Sequence, residues 1–157
     1  MAEACRAAVF NGDGTYEVRE FAVPDPPDGG AVLRVEAVGL CGSDVAQRAG
    51  VRLVPDAAFP VVPGHEIVGR VWKLGRDAHA LGVVEGDRVA VDEVLATGPP
   101  LKVYGYTFPV DEGAGLYGGF GEYMVVLPGT RLHVLSDSVP SEEATLFEPL
   151  ASAVNWA

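Results

Sequence analysis

Residues 31–44, AVLRVEAVGLCGSD, combine the two most informative features of this 157-residue chain, an alternating run and a cysteine between glycines. From 31 to 38, apolar and charged side chains alternate, which predicts a half-buried strand. The strand leads into Gly39-Leu40-Cys41-Gly42, where two glycines flank a thiol and hold it close to the backbone. The stretch therefore predicts a strand that delivers a cysteine into a tight turn, with a short helix following at about 43–50.

Short strands joined by tight turns are predicted along most of the chain, which has 20 glycines and 12 prolines. Residues 5–10 and 15–23 flank Asn11-Gly12-Asp13-Gly14, whose Asn-Gly and Asp-Gly pairs predict a hairpin. Further strands are predicted at 67–74, 88–94, 119–126 and 132–135. Residues 95–118 show no sustained period and are predicted to form a long loop. We expect a mainly β fold.

Helices are predicted mostly towards the C-terminal end. Ser141 is predicted to cap a short helix whose first turn carries Glu142 and Glu143, where the helix dipole favours negative charge. Pro149 interrupts that helix, so Glu148 is predicted at the junction of two helical pieces, with Pro149 starting the second. We expect residues 1–157 to form one domain, in which residues from about 141 onward begin a helical connection.

The charge and cysteine content exclude several classes of protein. Eleven basic against 22 acidic residues give a formal charge of −11, which disfavours nucleic acid and anionic membranes as partners. No charged-then-apolar leader and no apolar run of about 18 residues is found, so a cytoplasmic protein is expected. Cys5 and Cys41 are too few for a disulfide framework, and Cys5 is predicted to be a buried apolar residue.

Three phrases, taken together, resemble one enzyme family: GLCGSD at 39–44, PGHEIVG at 63–69 and EPLA at 148–151, with GDRV at 86–89 and GGFGEYMVV at 118–126 between them. In this order they resemble the zinc-dependent medium-chain alcohol and polyol dehydrogenases, and most of all the branch of sorbitol, glucose and threonine dehydrogenases. The resemblance runs from near residue 5 to the end. It implies the N-terminal catalytic domain, a GroES-like, partly open β barrel with a few peripheral helices.

The resemblance also implies one catalytic zinc ion. Cys41, His65 and Glu148 would be its three protein ligands, and the fourth position would stay open. At such a position zinc polarises the oxygen of an alcohol, and hydride can then pass to NAD or NADP. The expected substrate is a small-molecule alcohol, polyol or sugar.

Three neighbouring residues receive roles from the same resemblance. Ser43 would accept the proton of the alcohol and pass it on. Glu66 would approach the zinc from the side opposite the substrate and serve as an alternative ligand. Asp44 would accept a hydrogen bond from the second nitrogen of His65 and so fix the ring. Capping of the helix after Cys41 is an alternative role for Ser43 and Asp44.

Three departures from the family pattern change these expectations. Ala46 occupies the position of a histidine that often ends the proton relay, so water or Gln47 would have to replace it. The four cysteines of a second, structural zinc are missing from residues 92–118, so no structural zinc is expected. The Rossmann nucleotide-binding domain is also expected to be absent, because Gly113–Gly118 matches its glycine fingerprint only formally and precedes a predicted strand.

NAD or NADP is therefore expected only in a complete enzyme, on a nucleotide-binding domain supplied in cis or in trans, and that enzyme is expected to be a homo-oligomer. The main rival hypothesis is a stand-alone zinc-binding or interaction module derived from a dehydrogenase and inactive by itself. A co-chaperonin-like protein and a zinc-independent quinone reductase are further alternatives. The joint presence of Cys41, His65 and Glu148 argues against both.

Overall fold

The computed structural model describes residues 3–95 and 98–156. Within these ranges the strands are β1 (Ala4–Phe10), β2 (Tyr16–Ala22), β3 (Ala31–Gly39), β4 (Glu66–Leu74), β5 (Arg88–Val91), β6 (Val94–Leu95), β7 (Lys102–Val103), β8 (Tyr123–Val126) and β9 (Leu132–Val134). The helices are α1 (Gly42–Arg48), α2 (Ser141–Ala144), α3 (Phe147–Trp156) and a 3-10 helix at Ala78–Leu81. The prediction of a mainly β fold is confirmed. No helix in the described ranges is long and apolar enough to cross a membrane.

An antiparallel sheet of five strands, in the order β8-β3-β4-β5-β9, forms the body of the fold. β1 and β2 form the predicted N-terminal hairpin, and β6 and β7 form a separate two-stranded ribbon. A hydrogen bond of 2.8 Å from the Ala8 N–H to the Phe120 carbonyl joins the hairpin to the segment before β8. The described strands do not close into a complete barrel, in agreement with the partly open architecture that was predicted.

The hydrophobic core lies between the hairpin, the five-stranded sheet and the segment after β7. Leu33, Ile67 and Met124, from three neighbouring strands, are fully buried. Each such side chain stabilises the fold by about 1.5–3 kcal/mol relative to an exposed one. Cys5 belongs to this core, as predicted, and is a free thiol.

The segment predicted as a long loop, residues 95–118, contributes more to the core than its sequence indicated. Only β7 and the end of β6 are regular in it, and residues 96 and 97 lie outside the described residues. The rings of Tyr104, Phe108 and Tyr117 stack in sequence, with centroids 5.6 Å and 4.7 Å apart. Aromatic stacking and burial hold this irregular chain in place, together with the one short pairing of β6 and β7.

Two strands are shorter than predicted by three residues or more, whereas β2 and β9 lose only a terminal residue at one or both ends. β5 ends at Val91 because the Asp92 side chain accepts a hydrogen bond of 3.2 Å from the Val94 N–H and turns the chain. β8 begins only at Tyr123. The glycine run at 113–118 leads towards β8 and not into a helix, so it does not form the strand-glycine-helix unit of a dinucleotide site.

The C-terminal helices differ from the prediction in two details. Ser141 is the first residue of α2 and not its N-cap, because its hydroxyl is held by Arg88. The break between the two helical pieces falls at 145–146, before Glu148. Pro149 is the third residue of α3, in the first turn, where a backbone N–H has no helical partner and its absence is tolerated.

Candidate metal centre

Cys41 lies at the corner where β3 ends and α1 begins. It is the N-cap of α1 and has an extended backbone, with φ −94° and ψ 158°. The Asp44 carboxylate accepts a hydrogen bond of 2.8 Å from the Cys41 N–H. This cap fixes the start of the helix and holds the Cys41 thiol at the corner.

His65 and Glu66 enter the same corner at the start of β4. Gly64, with φ +91°, turns the chain just before them in a conformation that glycine adopts readily. Glu66 lies opposite Gly39 in the sheet register. A Cβ on Gly39 would overlap the Glu66 carboxylate, so the glycine leaves the space that this side chain fills.

The structure brings Cys41, His65 and Glu66 into one cluster. One ligand atom from each, the thiol sulfur, a ring nitrogen and a carboxylate oxygen, all lie within 4.8 Å of one another. His65 is 4% and Glu66 7% exposed. The cluster borders a cavity of about 510 Å³, whose described lining residues are Cys41, Ser43, Val54, His65, Glu66, Glu93, Val103, Tyr106, Glu148, Pro149, Ser152 and Ala153.

Glu148 lines this cavity but does not belong to the cluster of three. It lies in the first turn of α3, and its Oε1 accepts a hydrogen bond of 2.9 Å from the Ser152 hydroxyl. The structure therefore brings Cys41 and His65 together, places Glu66 beside them, and leaves Glu148 on the wall of the cavity.

The hydroxyl of Tyr106 lies closer to His65 Nδ1 than does the Asp44 carboxylate, which the resemblance implied as the partner of this nitrogen. The Asp44 carboxylate lies 3.7 Å from His65 Nδ1, which is too long for a hydrogen bond. The Tyr106 hydroxyl lies 3.2 Å from the same nitrogen. Asp44 is still the nearest carboxylate to that side of the ring, and one of its oxygens is buried without a hydrogen-bond partner among the described residues.

Ser43 and Gln47, on α1, have different surroundings. Ser43 Oγ accepts a hydrogen bond of 3.0 Å from the Tyr106 hydroxyl and lies 3.5 Å from His65 Nε2. The buried Gln47 amide donates a hydrogen bond of 2.7 Å to the Gly105 carbonyl. Gln47 thus anchors α1 to the segment after β7 and is not among the described residues that line the cavity.

Burial dominates the electrostatics of the cavity. It raises the pKa of Glu66, and the charges of Glu148 and Asp44 add to this effect against the opposing influence of His65. Burial likewise raises the pKa of Asp44 and that of Glu93. The described lining residues include no lysine or arginine. Three glutamates therefore face a cavity that offers them no fixed cationic side chain.

Tyr106 and Glu93 line the cavity although nothing in the sequence singled them out. Burial raises the pKa of Tyr106 to about 12. A Cβ on Gly105 would come within 2.8 Å of the Gly64 carbonyl oxygen, so the two glycines pack backbone to backbone. This contact brings the residues that follow them, Tyr106 and His65, side by side. The only local feature that Tyr106 and His65 share in the sequence is a preceding glycine. The sequence does not show that these two glycines are in contact.

The donor set fits a zinc ion. A thiol, an imidazole and a carboxylate are the side chains that zinc prefers, and here they converge with room for a further ligand. Buried carboxylates without cationic partners are unfavourable unless a cation compensates them. Binding of a divalent metal ion is therefore favourable at this position, beside Cys41, His65, Glu66 and Glu148.

Comparisons with known proteins agree with this geometry. The model of the family described as the alcohol dehydrogenase GroES-like domain matches residues 27–137. The chain is 36% identical to a Mycobacterium tuberculosis protein named "Probable alcohol dehydrogenase adh", over 96% of this chain and 45% of that protein. It is also 36% identical to D-altritol 5-dehydrogenase of Agrobacterium fabrum, over 95% of this chain and 44% of that enzyme.

The fold is found in solved structures as well. The crystal structure of an alcohol dehydrogenase from Thermotoga maritima superposes with a TM-score of 0.79 at 25% identity, over 92% of this chain and 44% of that one. The chain thus spans less than half the length of the relatives that it matches. The family match covers most of the chain and includes Cys41, His65 and Glu66. The chain therefore belongs to the alcohol dehydrogenase GroES-like domain family.

Proposed function

We propose that this chain is the zinc-binding catalytic domain of an NAD(P)-dependent oxidoreductase that acts on the CH–OH group of an alcohol, polyol or sugar. The observation that carries the proposal is the convergence of Cys41, His65 and Glu66 at a cavity that Ser43 and Glu148 also line. The alcohol and altritol dehydrogenases among the relatives support the same reaction class.

Cys41 and His65 would hold the metal together with a carboxylate. We assign Glu148 as the third ligand, from the family pattern, and Glu66 as an alternative ligand, because its carboxylate lies closest to the other two donors. A bound zinc ion would polarise the oxygen of an alcohol and lower the pKa of its hydroxyl.

The side chains around the metal would prepare the alcohol for oxidation. Ser43 Oγ would accept the proton of the substrate hydroxyl and pass its own proton on to water, since it lines the cavity beside the His65 ring. Val54, Val103 and Ala153 line the same cavity and would exclude water from the reacting carbon. The carboxylates of the cavity would favour a neutral alcohol, polyol or sugar over an anionic substrate.

The remaining parts of the reaction extend beyond this domain. The chain spans 40–46% of the alcohol and polyol dehydrogenases among these relatives. We assign the binding of NAD or NADP to a nucleotide-binding domain, in cis or in trans, and expect the complete enzyme to be a homo-oligomer.

Elemental analysis of the purified chain tests the metal site. We expect about one zinc ion per chain after loading, as in catalytic sites with three protein ligands. Cys41→Ser should lose this zinc, because the thiolate is its softest ligand. Cys5→Ala is the matched control, since Cys5 is the other free cysteine and is buried in the core. It should keep the zinc.

Comparison of Glu66→Gln with Glu148→Gln then identifies the carboxylate ligand. The variant that lacks the true third ligand should bind zinc more weakly, and the other should stay close to the unsubstituted chain. A chain without zinc after loading, or a Cys41→Ser variant with full zinc, would overturn the proposed site.

A further inference from the structure

The hydroxyl of Tyr106 lies at the point where the two halves of the metal centre meet. It is 3.0 Å from Ser43 Oγ, on α1, and 3.2 Å from His65 Nδ1, at the start of β4. The Tyr106 ring also packs on the His65 ring, with centroids 5.3 Å apart. One side chain therefore contacts both a proposed metal ligand and the proposed proton acceptor.

We propose that Tyr106 is a positioning residue of the metal centre, whose hydroxyl fixes the tautomer of His65 and the orientation of the Ser43 hydroxyl. The inference rests on the proposed function, because a tautomer matters here only if His65 binds a metal. It goes beyond that function by assigning a role to a residue in a segment without any sequence motif.

The direction of the hydrogen bonds carries the argument. A tyrosine hydroxyl has a single proton, and the geometry directs that proton at Ser43 Oγ. The contact with His65 must then be an N–H donated from Nδ1 to the tyrosine oxygen. A neutral imidazole that carries its proton on Nδ1 leaves the lone pair on Nε2, which is the nitrogen on the Ser43 side of the ring.

The backbone of Tyr106 is held firmly enough for this role. Its carbonyl accepts a hydrogen bond of 2.7 Å from the Ala58 N–H, and its own N–H donates one of 3.2 Å to the Val103 carbonyl. The residue is 5% exposed. The packing of Gly105 on Gly64 adds a second, direct link to the chain before His65.

The other candidates for this task are less well placed. Asp44, at 3.7 Å from His65 Nδ1, is beyond hydrogen-bond distance, and its other oxygen caps Cys41. Ala46 has no polar group, and the Gln47 amide is bonded to Gly105. Tyr106 thus supplies the ring-orienting contact that the sequence had assigned to Asp44. Groups that orient a ligand histidine typically change metal affinity about 10–100-fold when removed.

Tyr106→Phe tests the proposal, with Tyr104→Phe as its matched control. Tyr104 is also fully buried, and its hydroxyl bonds to Thr130 Oγ1 at 2.7 Å and to the Leu127 N–H at 2.8 Å, away from the cavity. Each variant therefore loses one buried hydroxyl from the same segment. Zinc affinity is measured by competition with a chelator, and the His65 tautomer by ¹⁵N NMR of the metal-free chain at alkaline pH.

We expect zinc affinity to fall about 10-fold in Tyr106→Phe and to stay unchanged in Tyr104→Phe. The His65 proton should reside on Nδ1 in the unsubstituted chain and in Tyr104→Phe, and should redistribute towards Nε2 in Tyr106→Phe. A loss of stability alone would not move the tautomer.

The possible failures can be distinguished. If the unsubstituted chain binds no zinc, the proposed function is overturned. The NMR measurement on the metal-free chain still decides whether Tyr106 sets the His65 tautomer. If the unsubstituted chain binds zinc, and Tyr106→Phe and Tyr104→Phe have the same zinc affinity and the same His65 tautomer, only the role of Tyr106 is overturned. A His65 proton on Nε2 in the unsubstituted chain would also overturn the role of Tyr106. This measurement does not depend on whether either variant folds.

Discussion

Two cavities of the molecule are lined by several charged side chains, which are paired in one cavity and unpaired in the other. The larger one, about 700 Å³, is lined by Arg34, Arg70 and Arg88, which lie in register across β3, β4 and β5, together with Glu36 and Asp137. In this arginine cavity almost every charge has a partner inside the protein. In the metal cavity the described carboxylates have no lysine or arginine beside them.

The arginine cavity shows what paired charge does in this fold. Arg88 is buried and donates hydrogen bonds to the Ser136 and Val139 carbonyls and to the Ser141 hydroxyl. Its guanidinium also lies 2.9 Å from a Glu36 carboxylate oxygen. These contacts tie the segment before α2 to the sheet. Because α3 follows α2 directly, the same contacts help to place the helix that carries Glu148.

The difference between the two cavities indicates their roles. Charges that are matched by neighbouring side chains serve the architecture, whereas buried carboxylates that remain unmatched suit a cation that is not part of the chain. Cavity size alone would favour the arginine cavity as the reactive site. The chemistry of the donors and the absence of matching cations among its described lining residues select the smaller one.

The largest expected effect is the loss of Arg88. Arg88→Met should destabilise the domain by about 3–5 kcal/mol, because three hydrogen bonds of a buried guanidinium and its ion pair with Glu36 are lost together. Denaturant unfolding of the metal-free chain measures this loss. Arg76→Met is the control, since Arg76 pairs with Asp28 on the surface, where the side chains are 83% and 63% exposed. If both substitutions lower the free energy of unfolding by the same small amount, the paired charges of the arginine cavity do not stabilise the fold as proposed.

Zinc should have the next largest effect, and only through the metal cavity. At a free concentration of 100 times its dissociation constant, a metal that binds only the folded chain raises the free energy of unfolding by about 2.7 kcal/mol. Thermal unfolding with and without zinc measures the gain. Arg76→Met should gain as much as the unsubstituted chain, because its surface pair with Asp28 lies outside the metal cavity. Equal stabilisation of Cys41→Ser would contradict the proposed site.

The smallest expected effect is a pH dependence of opposite sign in the two cavities. Burial acts to raise the pKa of Glu36, but hydrogen bonds from Arg70 and Ser141 and the charges of Arg70 and Arg88 lower it overall. The stability that Glu36 contributes is therefore present above its ordinary pKa and is lost as the pH falls through the lowered value. Burial instead raises the pKa of Glu93. Its contribution is complete below the ordinary pKa and is lost as the pH rises through the raised value.

Denaturant midpoints across the pH range separate these two contributions in the metal-free chain. Glu36→Gln should flatten the acid side of the profile, whereas Glu93→Gln should flatten the fall in stability above the ordinary pKa of a glutamate. A profile that Glu93→Gln leaves unchanged would mean that this carboxylate is not destabilised by its surroundings.

Several parts of the fold were predictable because they depend on local patterns. Asn-Gly and Asp-Gly pairs predicted the β1–β2 hairpin, and alternating side chains predicted β3. The break of the C-terminal helix was predicted from Pro149, although it falls a few residues earlier. Residues 95–118 could not be predicted, because stacking of Tyr104, Phe108 and Tyr117 holds them in the core and stacking leaves no periodic trace in a sequence.

Motifs and alternation along the chain were enough to predict the family, the mainly β class and the candidacy of Cys41, His65, Glu66 and Glu148. Folding, however, was needed to show that Glu66, and not Glu148, joins Cys41 and His65 in one cluster, and that the Tyr106 hydroxyl lies closer than Asp44 to His65 Nδ1. The physical reason is that both outcomes depend on contacts between distant segments. Gly39 makes room for Glu66, and the packing of two glycine-bearing segments, far apart in sequence, brings Tyr106 to the metal cavity.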